Sequence, residues 1–414
     1  MDRRIKASRM TSAIALVMFA LVALTAFVAS TAVEAEVEDA DYIIQTSVTF
    51  SNNGTTTWNL TKEEREISLF MNNTWQTVFL TNSSSPTEKT EDADGNPTAT
   101  LQLPKLKLEP GENVTYTVTY GIESDERSIP QFSGQESWNL TQIPPYLKED
   151  YCGRSDTWQT TDSTLLETAR AIAGNETKVL SIVEALIEWM WDPEHMSYGS
   201  CEVPRYPNET LAGGKGDCDD QAILLITFCR ILGIPSYLQV GCIYNPGSTP
   251  LYESSWNGTL TSVLKHIAWH GWATVYVPPW GWLPVDLTYA TGGKSNPLNA
   301  ITTAAVRLQK TIQYMDISQR DYVASSRKYR DFLIENQFYI YQEDEMRTAF
   351  QISWEEVIER WLLWMQSLRW FPIAMGVILG AFIAVFGYIL TVERRRDKEL
   401  KKGDEKANLS CNPQ

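Results

Sequence analysis

The chain has 414 residues, enough for two domains with sizeable cores. Its formal net charge is −16, with 51 Asp and Glu against 35 Lys and Arg, and 43% of its residues are hydrophobic. That balance excludes nucleic acid as a partner, because phosphate binding needs clustered Lys and Arg. The first ten residues carry Arg3, Arg4, Lys6 and Arg9, and residues 13–33 are an uncharged apolar run ending near Ser30-Thr31-Ala32. Basic, then apolar, then small residues read as a secretory signal, and the run is also long enough for an uncleaved membrane anchor. Both readings of residues 1–35 stand. Glu34, Glu36, Glu38, Asp39 and Asp41 follow, so the charge asymmetry puts the amino terminus inside and the rest outside.

Residues 36–122 read as a small all-β sandwich. Short alternating runs rich in Thr, Val and Ser occur at 44–50, 65–70, 75–80, 98–106 and 113–120, separated by Asn-Gly and Pro-Gly-Glu turns. Asn-X-Ser/Thr acceptors begin at Asn53, Asn59, Asn72, Asn82, Asn113, Asn139, Asn175, Asn208, Asn257 and Asn408. All but Asn408 precede the second apolar segment, as a glycosylated exterior region would arrange them. Residues 123–163 read as a linker with Ser, Pro and Gly. Helices are predicted over 164–173 and 176–191, the second ended by Asp192-Pro193; His195 in that turn is read as a surface residue.

The chemistry concentrates in residues 212–289. Asp217 is an N-cap for a helix over 218–232, stopped by Gly233 and Pro235. Ala222, Leu225, Ile226, Cys229 and Leu232 recur at helical spacing, so one face of it is buried. Cys218 opens that helix, where unpaired amide N–H groups and the dipole favour a thiolate. Asp217, Asp219 and Asp220 work slightly against this, since nearby negative charge raises a thiol pKa. Strands are predicted over 236–244, 272–277 and 282–287, the last two a hairpin around Pro278-Pro279-Trp280-Gly281. The hairpin brings Asp286 level with His270. A thiol, a base and a carboxylate that orients the base are the parts of thiol acyl-transfer catalysis. His266 is a competing base, but the Gly271-Trp272 strand start that follows selects His270. Gly213-Gly-Lys-Gly216 lacks the Gly-Lys-Ser/Thr ending of a phosphate loop.

The set Gly216-Asp-Cys218, Arg230-Ile-Leu-Gly-Ile-Pro235, His270-Gly-Trp272 and Gly281-Trp-Leu-Pro-Val-Asp286 resembles the transglutaminase-like superfamily of papain-related thiol enzymes, over about residues 165–289. The resemblance implies an α+β papain-like core over 164–296, a nucleophile at Cys218, a base at His270 and an orienting acid at Asp286. Outside this core nothing matches the calcium-dependent animal enzymes, so no metal or cofactor is carried over. The backbone N–H of Cys218 is a candidate oxyanion donor and Gln221 a candidate second one.

Residues 297–352 read as a mostly helical extension and 353–370 as a Trp-rich interfacial helix with Trp354, Trp361, Trp364 and Trp370. Residues 371–392 carry no charge and read as a transmembrane helix, followed by a basic cytoplasmic tail, 393–414. Gly376 and Gly380 have the small-residue spacing of helix dimers, which allows a homodimer. With Cys218 free and Cys411 inside, Cys152, Cys201, Cys229 and Cys242 form the exterior set, and Cys152–Cys201 is the preferred bridge. The expectation is a membrane-anchored exterior thiol enzyme acting on peptide or side-chain amides. Hydrolysis is favoured; acyl transfer to an amine and a non-catalytic adhesin are the alternatives.

Overall fold

A four-stranded and a six-stranded sheet organise the computed structural model. It describes residues 40–349 apart from 86, 133–135, 154–155 and 292. The amino-terminal signal or anchor, the interfacial helix, the transmembrane helix and the tail all fall outside the described residues. No described helix is long and apolar enough to cross a membrane.

The four-stranded sheet has its strands in the order Gly281–Val285, Ile267–Val277, Ser236–Tyr244, Thr311–Ile317. Its neighbouring strands are antiparallel, with Ala273 opposite Val285 and Gly241 opposite His270. Three helices, Ser163–Ala173, Val179–Trp191 and Cys218–Ile231, pack together on one face. Leu165, Ile182, Leu186, Leu224, Phe228, Leu238, Ala273 and Val275 share this core. Each large apolar side chain fully removed from water there contributes roughly 1.5–3 kcal/mol.

The helix Cys218–Ile231 departs from the amphipathic expectation. Every residue from Asp220 to Arg230 is buried. It is the central helix, enclosed by the sheet and the two helices beside it, so the spacing of its apolar residues understates its burial. Asp217 caps it, accepting from the N–H of Asp220, and Gly233 at φ +75° ends it in the left-handed region that other residues enter at a cost.

The second sheet corrects the predicted domain plan. Its six strands run Leu251–Ser255, Leu260–Lys265, Phe338–Thr348, Tyr42–Asn52, Asn113–Ser124, Gln76–Ser83. Tyr42–Asn52 pairs along its whole length with Phe338–Thr348, from Tyr42 opposite Thr348 to Asn52 opposite Phe338. The β-rich amino-terminal region is therefore completed by the strand Phe338–Thr348 and by a hairpin, Leu251–Ser255 with Leu260–Lys265, inserted between two strands of the four-stranded sheet. A central strand left without that neighbour would expose a row of unpaired backbone groups. A three-stranded sheet, Glu66–Ser68, Pro97–Leu101 and Thr87–Glu91, adds Ala99 and Leu101 to the same core.

Two further predicted segments differ. The described part of the predicted helical extension, 297–349, is not mostly helical: Thr311–Ile317 is an edge strand of the four-stranded sheet and Phe338–Thr348 belongs to the second sheet, with the helix Tyr322–Asn336 between them. Residues 123–163 are more than a linker, since they hold the helix Pro145–Tyr151 and bury Ile143 and Trp158 in the core beside the four-stranded sheet.

Candidate active site

Asp286 follows the strand Gly281–Val285 directly and His270 lies in Ile267–Val277. Their side chains meet, with His270 Nε2 2.9 Å from Asp286 Oδ2. His270 is 8% exposed and Asp286 1%. Asp286 is itself held by backbone donors: the N–H groups of Thr288 (3.1 Å) and Tyr289 (3.0 Å) reach Oδ1, and that of Ala305 (3.1 Å) reaches Oδ2. Burial pushes the Asp286 carboxyl up, but the His270 contact and these N–H groups outweigh it and hold the carboxyl below its ordinary range. An ionised Asp286 accepts Nε2–H and leaves His270 Nδ1 as the ring nitrogen with the lone pair.

The start of the helix that Cys218 opens comes against the same strand, at Gly271, the residue after His270. The backbone N–H groups of Gly271 and Asp219 lie near enough to the Cys218 sulfur to favour its ionised form. Gly271 permits this approach: a Cβ there would lie 3.1 Å from the Cβ of Asp219. Side chains at 271 would push the helix start away from the strand.

The thiol differs from the thiolate expected at a helix start. It is pushed up to about 12, first by burial and then by the negative charges of Asp219 and Asp217, against the two N–H donors. The helix terminus alone does not compensate. Asp219 is pushed up in turn by burial and then by Asp217, while Tyr322 donates to its Oδ2 at 3.1 Å. Nothing local in Arg320-Asp321-Tyr322 marks Tyr322 as a neighbour of the nucleophile helix. Only the fold brings it there. Two exposed aromatic residues flank the site: Tyr289, 40% exposed, has its ring 5.8 Å from that of His270, and Tyr198, 65% exposed, lies within electrostatic reach of Cys218.

Several predicted residues are placed elsewhere. The Gln221 side chain donates to the Gly216 carbonyl at 2.8 Å and is buried, so it is not available as an oxyanion donor. His266 takes a positive φ of 56°, and Asp286 pairs with His270 instead. His195 stacks on Trp189 at 4.3 Å, a packing role. Trp269 donates to Asp344 at 3.0 Å in the other core, whereas Trp272, buried with Ala304 and Val306, has its ring 5.9 Å from that of His270.

The Cys152–Cys201 bridge is corrected, since both cysteines are free thiols. Cys201 sits at the start of the helix Cys218–Ile231, its N–H donating to Asp217 at 3.1 Å, whereas Cys152 neighbours Arg230 and Cys229 at the other end. The helix has 14 residues and so is roughly 20 Å long, far beyond the span of a disulfide. Cys229 and Cys242 are buried in different cores. Cys411 lies outside the described residues.

Cys201, Asp217 and Asp220 bring one ligand atom each within 4.8 Å of one another, the one such group among the described residues. Arg205 already stands there, its Nε 4.0 Å from Asp220 Oδ2 and its backbone N–H 2.7 Å from Oδ1. The resident guanidinium supplies the positive charge a cation would bring.

No curated protein matches the sequence. Among solved structures, a candidate cysteine protease from Cytophaga hutchinsonii is similar at 16% identity and a TM-score of 0.46, covering 75% of this chain and 91% of that one. The periplasmic domain of TgpA from Pseudomonas aeruginosa is similar at 11% identity and a TM-score of 0.29, covering 63% of this chain and 90% of that one. Red sea bream transglutaminase is similar at 9% identity and a TM-score of 0.25, covering 59% and 46%. A family model described as the transglutaminase-like superfamily matches residues 166–287, the stretch that holds Cys218, His270 and Asp286. The chain thus carries a transglutaminase-like domain, with mixed α/β content and a β-rich region before it.

Proposed function

We propose that the chain is a thiol hydrolase of peptide or side-chain amides, with Cys218 as nucleophile, His270 as proton carrier and Asp286 as the group that orients the imidazole. The observation that carries this reading is the buried 2.9 Å contact between His270 and Asp286, with Gly271, the residue after His270, packed against the start of the helix that Cys218 opens. Because burial and Asp219 favour the neutral thiol, the proton leaves as the sulfur attacks. The S–C bond forms, the thiol proton passes to His270 Nδ1, and the carbonyl electron pair moves to oxygen beside the Cys218 N–H. Collapse breaks the C–N bond as His270 returns the proton to the leaving amine. Water then cleaves the thioester by the same route in reverse.

Hydrolysis is favoured over transfer by the surroundings of the sulfur. Transfer needs a site that excludes water and admits an amine. Here Tyr198 and Tyr289 are exposed, and Trp269 is held by Asp344 in the other core. Water at about 55 M then outcompetes a millimolar amine of equal reactivity by several kcal/mol. The test supplies a glutamine-containing peptide with a millimolar primary amine and quantifies acid against amide product by mass spectrometry. Predominantly acid is expected; predominantly amide would reject hydrolysis.

Outside the cell is the proposed location, with the membrane as a neighbour through residues 371–392 and an extracellular protein or peptide as substrate. Surface exposure of Asn53, Asn59, Asn72, Asn82, Asn113, Asn139, Asn175 and Asn257 supports a glycosylated exterior. Protease applied to intact cells should remove these residues and spare a tag at Gln414; loss of that tag would overturn the topology.

A further inference from the structure

Behind the catalytic sheet, on the face opposite the helix Cys218–Ile231, lies a cavity of about 270 Å³. Strand alternation builds it: Leu238, Ala273 and Val275 point into the catalytic core, so Tyr237, Gln239 and Thr274 face the other way and line the cavity. Trp75, Trp280 and Trp282 give it flat apolar walls, and Arg127 and Arg307 bring the charge.

Those two arginines lie near enough for the charge of one to act on the other. Arg127 is only 7% exposed. Its Nη1 donates to the Val306 carbonyl and its Nη2 to that of Thr311 at 3.2 Å, while Arg307 donates to Ile301 at 2.7 Å and Ser128 at 2.9 Å. Arg127 Nε and Arg307 Nη2 have no acceptor among the described residues, and neither side chain forms an ion pair with a described carboxylate. Burial and then the charge of Arg307 pull the Arg127 guanidinium down to about 10. Buried charges are ordinarily paired, and this chain has 16 more acidic than basic residues from which to pair them. Two adjacent guanidinium groups without one call for an anion from outside the chain.

We propose that this cavity binds a small carboxylate carried on a six-membered ring, a uronic acid or an aromatic acid, with the carboxylate between Arg127 and Arg307 and the ring against the tryptophans. The carboxylate's two oxygens match the two unused donors once the guanidinium groups turn toward it, and planar guanidinium favours planar carboxylate. The ring's apolar faces match indole faces. The volume admits one ring and its substituents. This site is independent of the Cys218 chemistry, although the peptide carrying Val306 and Arg307 also carries the Ala305 N–H that donates to Asp286.

The experiment is isothermal titration of the full chain with glucuronate and with benzoate at constant ionic strength, using glucose, benzyl alcohol and inorganic phosphate as controls. Saturable binding of at least one carboxylate is expected, glucuronate alone indicating a sugar acid and benzoate alone an aromatic acid. Its affinity should fall at least tenfold in Arg307→Gln, with folding checked by circular dichroism. If that variant does not fold, Arg307→Lys, which keeps the charge and loses the fork, should weaken binding at least threefold. No saturable binding of either carboxylate would overturn the proposal. So would equal binding of the uncharged analogues or of phosphate, or unchanged affinity in the folded variant.

Discussion

At its first turn the helix Cys218–Ile231 gathers Asp217, Asp219 and Asp220 around a thiol; at its last turn Arg230 is buried and makes no ion pair among the described residues. Arg230 instead donates to the carbonyls of Ser236 (2.9 Å), Gly153 (3.4 Å) and Ser318 (3.2 Å), and its guanidinium lies 4.3 Å from the Trp158 ring centroid. The same burial therefore has two uses. At the amino end it favours the neutral form of the Cys218 thiol. At the carboxyl end it makes Arg230 a peg joining the helix to three other segments. The difference teaches that within the motif set Arg230 positions the helix, while Cys218, His270 and Asp286 carry the proposed reaction.

The comparison is broken most severely by removing the chemical end. Cys218→Ala or His270→Ala should each lower kcat/KM on a peptide amide by about 10⁴-fold or more, with urea midpoints near wild type. Residual activity within tenfold of wild type would remove either residue from the reaction. Asp286→Asn should cost about 10³–10⁴-fold in kcat, since the imidazole loses its ionised partner. The same variant should also lose the pH-dependent stability that a depressed carboxyl contributes. That stability is present above the ordinary carboxylate range and is lost as pH falls through the lower folded value, so wild type should acid-unfold more steeply than the variant.

Removing the peg should act differently. Arg230→Met leaves three carbonyls without a donor and should destabilise the fold by roughly 3 kcal/mol, read from urea unfolding, with kcat per folded molecule little changed. A large kcat loss at unchanged stability would contradict the division of labour. Gly271→Ala moves the helix start by a few tenths of an ångström and should lower kcat about tenfold. Asp219→Asn sharpens the comparison most finely. Asparagine keeps a partner for Tyr322 and removes a charge that raises the thiol, so iodoacetamide should alkylate Cys218 about threefold faster at pH 8. In wild type that rate should climb through pH 9 without a plateau near neutrality; a plateau below pH 7 would indicate a resting thiolate instead.

The helix and strand around the motifs were legible because their signals are local. Asp217 and Gly233 bracket one, and the predicted strand 236–244 has the observed bounds, Ser236–Tyr244. The pairing of His270 with Asp286 followed from a short hairpin. The strand Phe338–Thr348 was not legible. Its Gln342-Glu-Asp-Glu345 run reads as a solvated helix face, yet Asp344 is buried, accepting from Thr46 at 2.7 Å and Trp269 at 3.0 Å. A buried carboxylate served by partners 298 and 75 residues away leaves no local trace. Nor did the sequence indicate that burial would outweigh the helix terminus at Cys218, because the enclosure comes from strands and from Tyr322, far along the chain.

The central claim is that Cys218 forms an acyl-enzyme with His270 assisting. Mixing the protein with a peptidyl p-nitrophenyl ester, quenching in acid and mapping the adduct by mass spectrometry tests it directly. The account predicts one acyl group on Cys218 in wild type, none at that position in Cys218→Ala, and accumulation slowed at least a hundredfold in His270→Ala. An adduct on another residue, or equal acylation rates in wild type and His270→Ala, would contradict it.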